Sequence, residues 1–356
     1  MNHTISYSVT ASEIEELLVA SYFIGYTLQF PGGLLVSKIG PYYSCGLPML
    51  LTIVLTFLTP VAALDWRALV VLRVGQGIGA APTFPAMSAL WAKWAPRNER
   101  STLFSITVAG HFMGAALANS LSGFLCDQTG ILGGSWPSVF RMYGIVGVVW
   151  FILWMVLVTS NPETNVWTGL DEKDYIQLNR ATPQPKAAIP WVWMFTSIRC
   201  WAIYFVHFCS YFGYVTMLVG YPQFFKDIHK LNLDELGLIT SIPILAMFLS
   251  SLAAGKITDM LIARNVWSIT AARKINTGIG MFVPAIINFI IAFESQLTLV
   301  GVITLMTIQN AANGFVLSGF QVNYIDINPD YAGVLSGLGN SLASLTGILV
   351  PILLYR

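Results

Sequence analysis

Arg73 stands inside an apolar run, preceded by Ala68-Leu69-Val70-Val71-Leu72 and followed by Val74-Gly75. A charge at that depth in hydrocarbon costs at least ~2.5–3.5 kcal/mol, so it calls for a water-filled cavity or a partner. A snorkelling arginine at a helix end is the other reading, although Arg67 already marks that end. A cation in a low-dielectric passage would attract an anion. His111 and His207 also fall in mid-run. Either imidazole could relay protons, and a hydrogen-bonded core histidine is the plainer reading. Tyr26 and Tyr214 add polar tips to aromatic walls, and Asn340 could serve as an interhelical hydrogen bond.

A second group sits at a helix end. Gly255-Lys256-Ile257-Thr258-Asp259, with Arg273-Lys274 further on, brings a carboxylate near cations. Gly75, Gly77 and Gly79 do not make a dinucleotide loop, because no strand precedes them. Close helix packing is expected there, and likewise for Gly110 with Gly114 and Gly333 with Gly337. No His-Glu-x-x-His zinc motif and no nucleophile–base pair suggests an enzyme.

These residues need elements to hold them, and the composition says which. Of the 356 residues, 55% are apolar and 10% charged, with a mean hydropathy of +0.67. Soluble domains carry about 25% charged residues. The apolar residues form runs long enough to span a bilayer as helices, and they do not alternate as barrel strands would. About ten such segments are expected: Ile14–Ser37, Tyr43–Leu64, Ala68–Trp91, Leu103–Cys126, Val139–Ser160, Phe195–Tyr221, Leu236–Leu261, Ala271–Phe293, Leu297–Phe320 and Ala332–Tyr355. The fold class is therefore all-α integral membrane.

The longest polar stretch, 161–190, divides the chain into an N-terminal bundle (1–160) and a C-terminal bundle (191–356) of five spans each. Within it, Thr168-Gly169-Leu170-Asp171 predicts a capped start to a short amphipathic surface helix; its second half reads equally well as a flexible linker. Lys38, Lys93, Arg97, Arg100, Lys173, Arg180, Lys186, Lys256, Arg264, Arg273 and Lys274 fall on one set of alternate loops. The opposite set has Arg67, Lys226 and Lys230, with Arg141 near a helix start. The positive-inside rule places the first set in the cytoplasm and both termini outside.

A net charge of +1 gives no reason to expect nucleic acid. Cys45, Cys126, Cys200 and Cys209 have no metal-ligand spacing and read as apolar fillers. The polar first residues are not a cleavable signal peptide, and Asn2-His3-Thr4 is a glycosylation sequon.

Several stretches resemble one branch of the major facilitator superfamily: the anion:cation symporters that include sialin, the vesicular glutamate transporters and the type I sodium–phosphate cotransporters. They are Gly25-Tyr26 with Gln29-Phe30-Pro31-Gly32-Gly33, and Trp91-Ala92-Lys93-Trp94-Ala95-Pro96-Arg97-Asn98-Glu99-Arg100-Ser101. Further on come Trp136-Pro137-Ser138-Val139-Phe140 and Gly319-Phe320-Gln321-Val322-Asn323-Tyr324-Ile325-Asp326-Ile327-Asn328-Pro329. The resemblance implies a two-bundle carrier of a small organic or inorganic anion, working by alternating access in a lipid bilayer, without a cofactor but coupled to Na+ or H+. It implies that Arg73 lies in the substrate path and that Asn340 neighbours the substrate. It also implies that the Gly255–Asp259 loop with Arg273 and Lys274 latches one conformation. The matching loop after the first helix has Ser37 in place of the acid, which weakens that latch.

Departures narrow the expectation. The glutamate that sialin and the glutamate transporters carry seven residues after the arginine is Ala80, so no carboxylate there can couple protons. The second arginine of the glutamate transporters is Ser210. The first helix is one residue shorter between Tyr26 and Pro31 than the family pattern. The resemblance also implies about ten of twelve helices, the first and last being absent. The alternative expectation is therefore a shortened form that transports weakly or not at all.

Overall fold

A computed structural model describes residues 11–127, 132, 134–180, 188–228, 233–294 and 298–354. The sequon at Asn2, residues 181–187 of the linker with Lys186, Lys230 and the last two residues lie outside the described residues. In chain order the helices are α1 (Ala11–Tyr26), α2 (Gln29–Ile39), α3 (Pro41–Ala62), α4 (Trp66–Ala80), α5 (Thr83–Trp94), α6 (Arg100–Asp127), α7 (Ser135–Leu157) and α8 (Leu170–Asn179). Then follow α9 (Trp191–Thr196), α10 (Ile198–Ile228), α11 (Leu233–Ala263), α12 (Ile269–Phe293), α13 (Leu299–Asn313), α14 (Phe320–Ile327), α15 (Ala332–Ser344) and α16 (Thr346–Leu354).

Among the described residues, eight segments are long and apolar enough to cross a bilayer. On α7, Ile145, Val149, Ile152 and Val156 form an exposed stripe; Phe282, Ile286, Phe289 and Phe293 do the same on α12. Both follow helical spacing, and hydrocarbon is the solvent such stripes require.

The other two expected spans are each split into a pair of helices, and proline explains both. Pro82 has no N–H to continue α4, so the ladder stops at the Ala81 N–H to Gly77 bond (2.9 Å) and restarts with Ala86 N–H to Pro82 (2.9 Å). Pro31 likewise leaves the Thr27 carbonyl without its helical donor. There the chain tightens, with Leu28 N–H on the Gly25 carbonyl at 3.2 Å, before Gly32 N–H meets Leu28 at 3.1 Å. That break falls where the sequence is one residue short.

Close approach of backbones sets the packing. A Cβ on Gly77 would lie 2.1 Å from the Tyr22 carbonyl oxygen, and one on Gly25 2.1 Å from that of Val74, so α1 and α4 cross in contact. Gly79 does the same against Pro48 on α3. Gly333 and Gly337 face Pro85 and Gln29, joining α15 to α5 and α2. Gly110 and Gly114 are a correction: a Cβ on either meets nothing within 4 Å, so their face of α6 opens onto space.

The linker helix also differs from expectation. Thr168 does not cap α8; its N–H (3.2 Å) and hydroxyl (3.3 Å) both turn to the Asn165 side chain. Only Ile176 of α8 is buried, while Leu170 and Leu178 are exposed. The helix is anchored by Tyr175 to Glu99 (2.6 Å) and by Arg97 N–H to the Asn179 carbonyl (3.0 Å).

The halves meet along two seams: α6 runs along α11, while α1, α2 and α5 run along α16 and α15. All four cysteines are free thiols.

Candidate functional site

Midway along these contacts lies a cavity of about 70 Å³. The N-terminal half contributes Tyr26 from α1, Phe84 from α5, and Val108, His111 and Phe112 from α6. The other half contributes His207, Ser210, Tyr211 and Tyr214 from α10, with Met247, Asn313, Val316, Leu317 and Gln321. Two of the sequence candidates touch across it, His111 Nε2 lying 3.2 Å from the Tyr214 hydroxyl. Tyr26 stacks on Tyr22 at 5.5 Å, and Tyr211 lies 5.8 Å from Tyr214. The lining is thus aromatic and imidazole, carries hydrogen-bonding tips, and holds no formal charge.

Arg73 stands beside this cavity rather than in its wall. It is half-buried on α4, about 10 Å inside the helix start at 1.5 Å per residue. Its helix packs against α1, which carries Tyr22 and Tyr26. Among the described residues Arg73 makes no ion pair, and its buried Nε has no hydrogen-bond partner. Asn340 is also absent from the lining: its Nδ2 bonds back to the Ser336 carbonyl (2.8 Å) and hydroxyl (3.1 Å).

His207 is fully buried, its Nδ1 3.0 Å from the Tyr324 hydroxyl and its Nε2 3.4 Å from Gln321 Nε2. A Cβ on Gly339 would occupy the place of that hydroxyl. Tyr324 and Gln321 ride on α14, the short helix that also carries Asp326.

Asp326 belongs to a charged cluster at the end of the bundle that holds the basic loops. Its carboxylate accepts from Arg100 Nη1 (2.9 Å) across the halves and from Arg273 Nε (2.8 Å) within its own. Arg273 also donates to the Ser101 hydroxyl and the Ser318 carbonyl, both at 2.9 Å. Among the described residues Asp259 pairs with no cation; it accepts the N–H groups of Ser101 (3.3 Å) and Thr102 (2.6 Å) at the start of α6. An anion at a helix N-terminus completes unpaired donors and meets the positive end of the dipole. Gly255 lets α6 and α11 meet, since a Cβ there would lie 2.9 Å from Ser105. Lys274 is exposed and makes no ion pair among the described residues.

Of the residues expected to latch, Gly255, Asp259 and Arg273 come together and Lys274 stays apart. Arg100, Ser101 and Asp326 had not been assigned to the latch. Their signal was present: each is a polar residue flanking a span within a long motif.

The Major Facilitator Superfamily model matches residues 2–351. The chain is 36% identical over 348 residues to sialin from Homo sapiens, covering 96% of this chain and 68% of that protein. It is 31% identical over 345 residues to vesicular glutamate transporter 3 from Danio rerio, covering 95% and 57%. A putative inorganic phosphate cotransporter from Drosophila ananassae is 36% identical over 348 residues, covering 95% and 71%. Among solved structures, a proton:xylose symporter superposes with a TM-score of 0.71 at 17% identity, over 95% of this chain and 78% of that one. At that identity the likeness is one of fold.

Proposed function

This chain belongs to the Major Facilitator Superfamily, and from that premise we propose that it is a secondary transporter of a small anion, working by alternating access between its halves. It is a multi-pass membrane protein. The observation that carries the anion reading is Arg73, a cation well inside an apolar helix that makes no ion pair among the described residues, on α4 packed against α1, which carries Tyr26 of the cavity wall. The neutral lining supports the same reading, because a second charge is left for the substrate to bring. Relatives named for glutamate and phosphate lend the class, though Ala80 and Ser210 set this site apart.

A cavity of about 70 Å³ is well below the roughly 300–1,000 Å³ of small-molecule sites. The halves must therefore part before an anion can enter. Parting at the basic end requires Arg100 to leave Asp326, and Asp259 to leave the α6 amides; both become easier in water. By its lysines and arginines that end faces the cytoplasm. In this reading Tyr26, His111 and Tyr214 contact the anion, Arg73 draws it in, and Asn340 supports the wall from behind. Either Na+ or H+ could drive the cycle, and a proton route would use His111 or His207, since Ala80 has no carboxylate.

Purified protein in proteoliposomes, offered labelled phosphate, glutamate and sialate under Na+ and H+ gradients, tests the proposal. Saturable uptake of at least one anion is expected, and folded protein that moves none of the three contradicts it. Thiol labelling from outside should reach a cysteine at Asp65 and spare one at Asn98; the reverse overturns the orientation.

A further inference from the structure

The break between α1 and α2 frees two main-chain groups inside a membrane span. The Thr27 carbonyl has lost the N–H that Pro31 lacks, and the Phe30 N–H points out of the helical ladder. Unpaired groups at that depth are strongly disfavoured. Both are satisfied by one side chain: Ser341 Oγ accepts from Phe30 N–H at 2.8 Å and donates to the Thr27 carbonyl at 2.5 Å. Ser341 stands on α15, in the other half of the molecule. Around it the halves touch without charge, through Gln29 Nε2 on the Ser344 hydroxyl (2.9 Å) and Ser88 on Ser336 (3.0 Å).

The residue before the break is Tyr26, in the cavity wall. We propose that Ser341 is a positioning residue. It completes the broken helix only while α2 and α15 are in contact, and so ties the placing of Tyr26 to the closed conformation. When the halves part, as the carrier reading on which this inference rests requires, the two freed groups pass to water and the break is released. Loss of the hydroxyl then weakens only the closed state, because the open state has water in its place.

The test uses Ser88→Cys and Ser336→Cys as a closed-state reporter, in membranes, with the four native cysteines replaced by serine. The rate of disulfide formation under a mild oxidant reads the closed population and needs no substrate, so it stands even if no transported anion is found. Ser341→Ala should slow cross-linking by on the order of tenfold, and Ser341→Thr should restore it. Pro31→Ala supplies a donor for the Thr27 carbonyl but no acceptor for the Phe30 N–H, so in that background Ser341→Ala should slow cross-linking clearly less than it does alone. An unchanged rate in Ser341→Ala overturns the proposal, as does an equal slowing with and without Pro31. If Ser341→Ala fails to fold but the double variant folds, the proposal stands; if neither folds, it falls. Where uptake is measurable, Ser341→Ala should raise KM more than it lowers kcat.

Discussion

At the basic end the halves meet through ions, between α6 on one side and α11, α12 and α14 on the other, whereas α2 and α5 meet α15 through glycines and hydroxyls. In the first, Arg100 and Arg273 share one carboxylate, and Asp259 faces helix amides. In the second, Gly337 lies against the Gln29 carbonyl, and serines supply short hydrogen bonds. The difference lies in what happens on parting. Water solvates separated ions well, so the charged contact can open at a membrane surface and re-form by attraction. The hydroxyl contact has no long-range attraction and depends on close fit of the two backbones. The first suits a latch, the second a register that fixes where the halves stop.

Four substitutions would sharpen or break that contrast. Asp326→Ala should have the largest effect, since it leaves two buried arginines without a counter-ion; about 3–5 kcal/mol is expected, read as a large drop in the thermal stability of the detergent-purified protein. Survival at the parental melting temperature would remove the latch from the account. Gly337→Val should cost about 1–3 kcal/mol by overpacking, because its Cβ would lie 2.7 Å from the Gln29 carbonyl oxygen. Its signature is slower Ser88–Ser336 cross-linking that does not change with salt. Asp259→Asn should cost about 0.5–1 kcal/mol by weakening the charge on the α6 dipole, and salt should shrink the difference from the parent. A salt-independent loss would mean that Asp259 acts by shape. Ser88→Ala should be smallest, below about 1 kcal/mol, in the same stability assay.

Much of the fold was legible because apolarity is a local signal. The breaks at Thr27–Leu28 and Ala81–Pro82 were not seen as breaks, since apolar residues run across them; Pro31 and Pro82 were the available signs. The ninth span was ended at Phe320, yet α14 continues helical to Ile327. Asp326 lies beyond that bound, and its carboxylate pairs with two arginines distant in sequence. Within the site, Tyr26, His111 and Tyr214 stood out as polar tips in apolar runs. Arg100 and Asp326 were visible as charges, but a pairing across 226 positions leaves no trace in spacing. Gly110 and Gly114 resembled packing glycines because small-residue spacing does not tell which neighbour lies opposite.

In the proposed carrier, Arg73 provides the counter-charge for an anion in the path between the halves. The most direct measurement is anion counterflow in proteoliposomes for the parent, Arg73→Lys and Arg73→Ala, each also checked for Ser88–Ser336 cross-linking. Arg73→Ala should cross-link normally yet lose counterflow, and Arg73→Lys should keep part of it, lysine holding the charge without the planar fork. Full counterflow by a normally cross-linking Arg73→Ala would contradict the claim and put the anion elsewhere in the molecule.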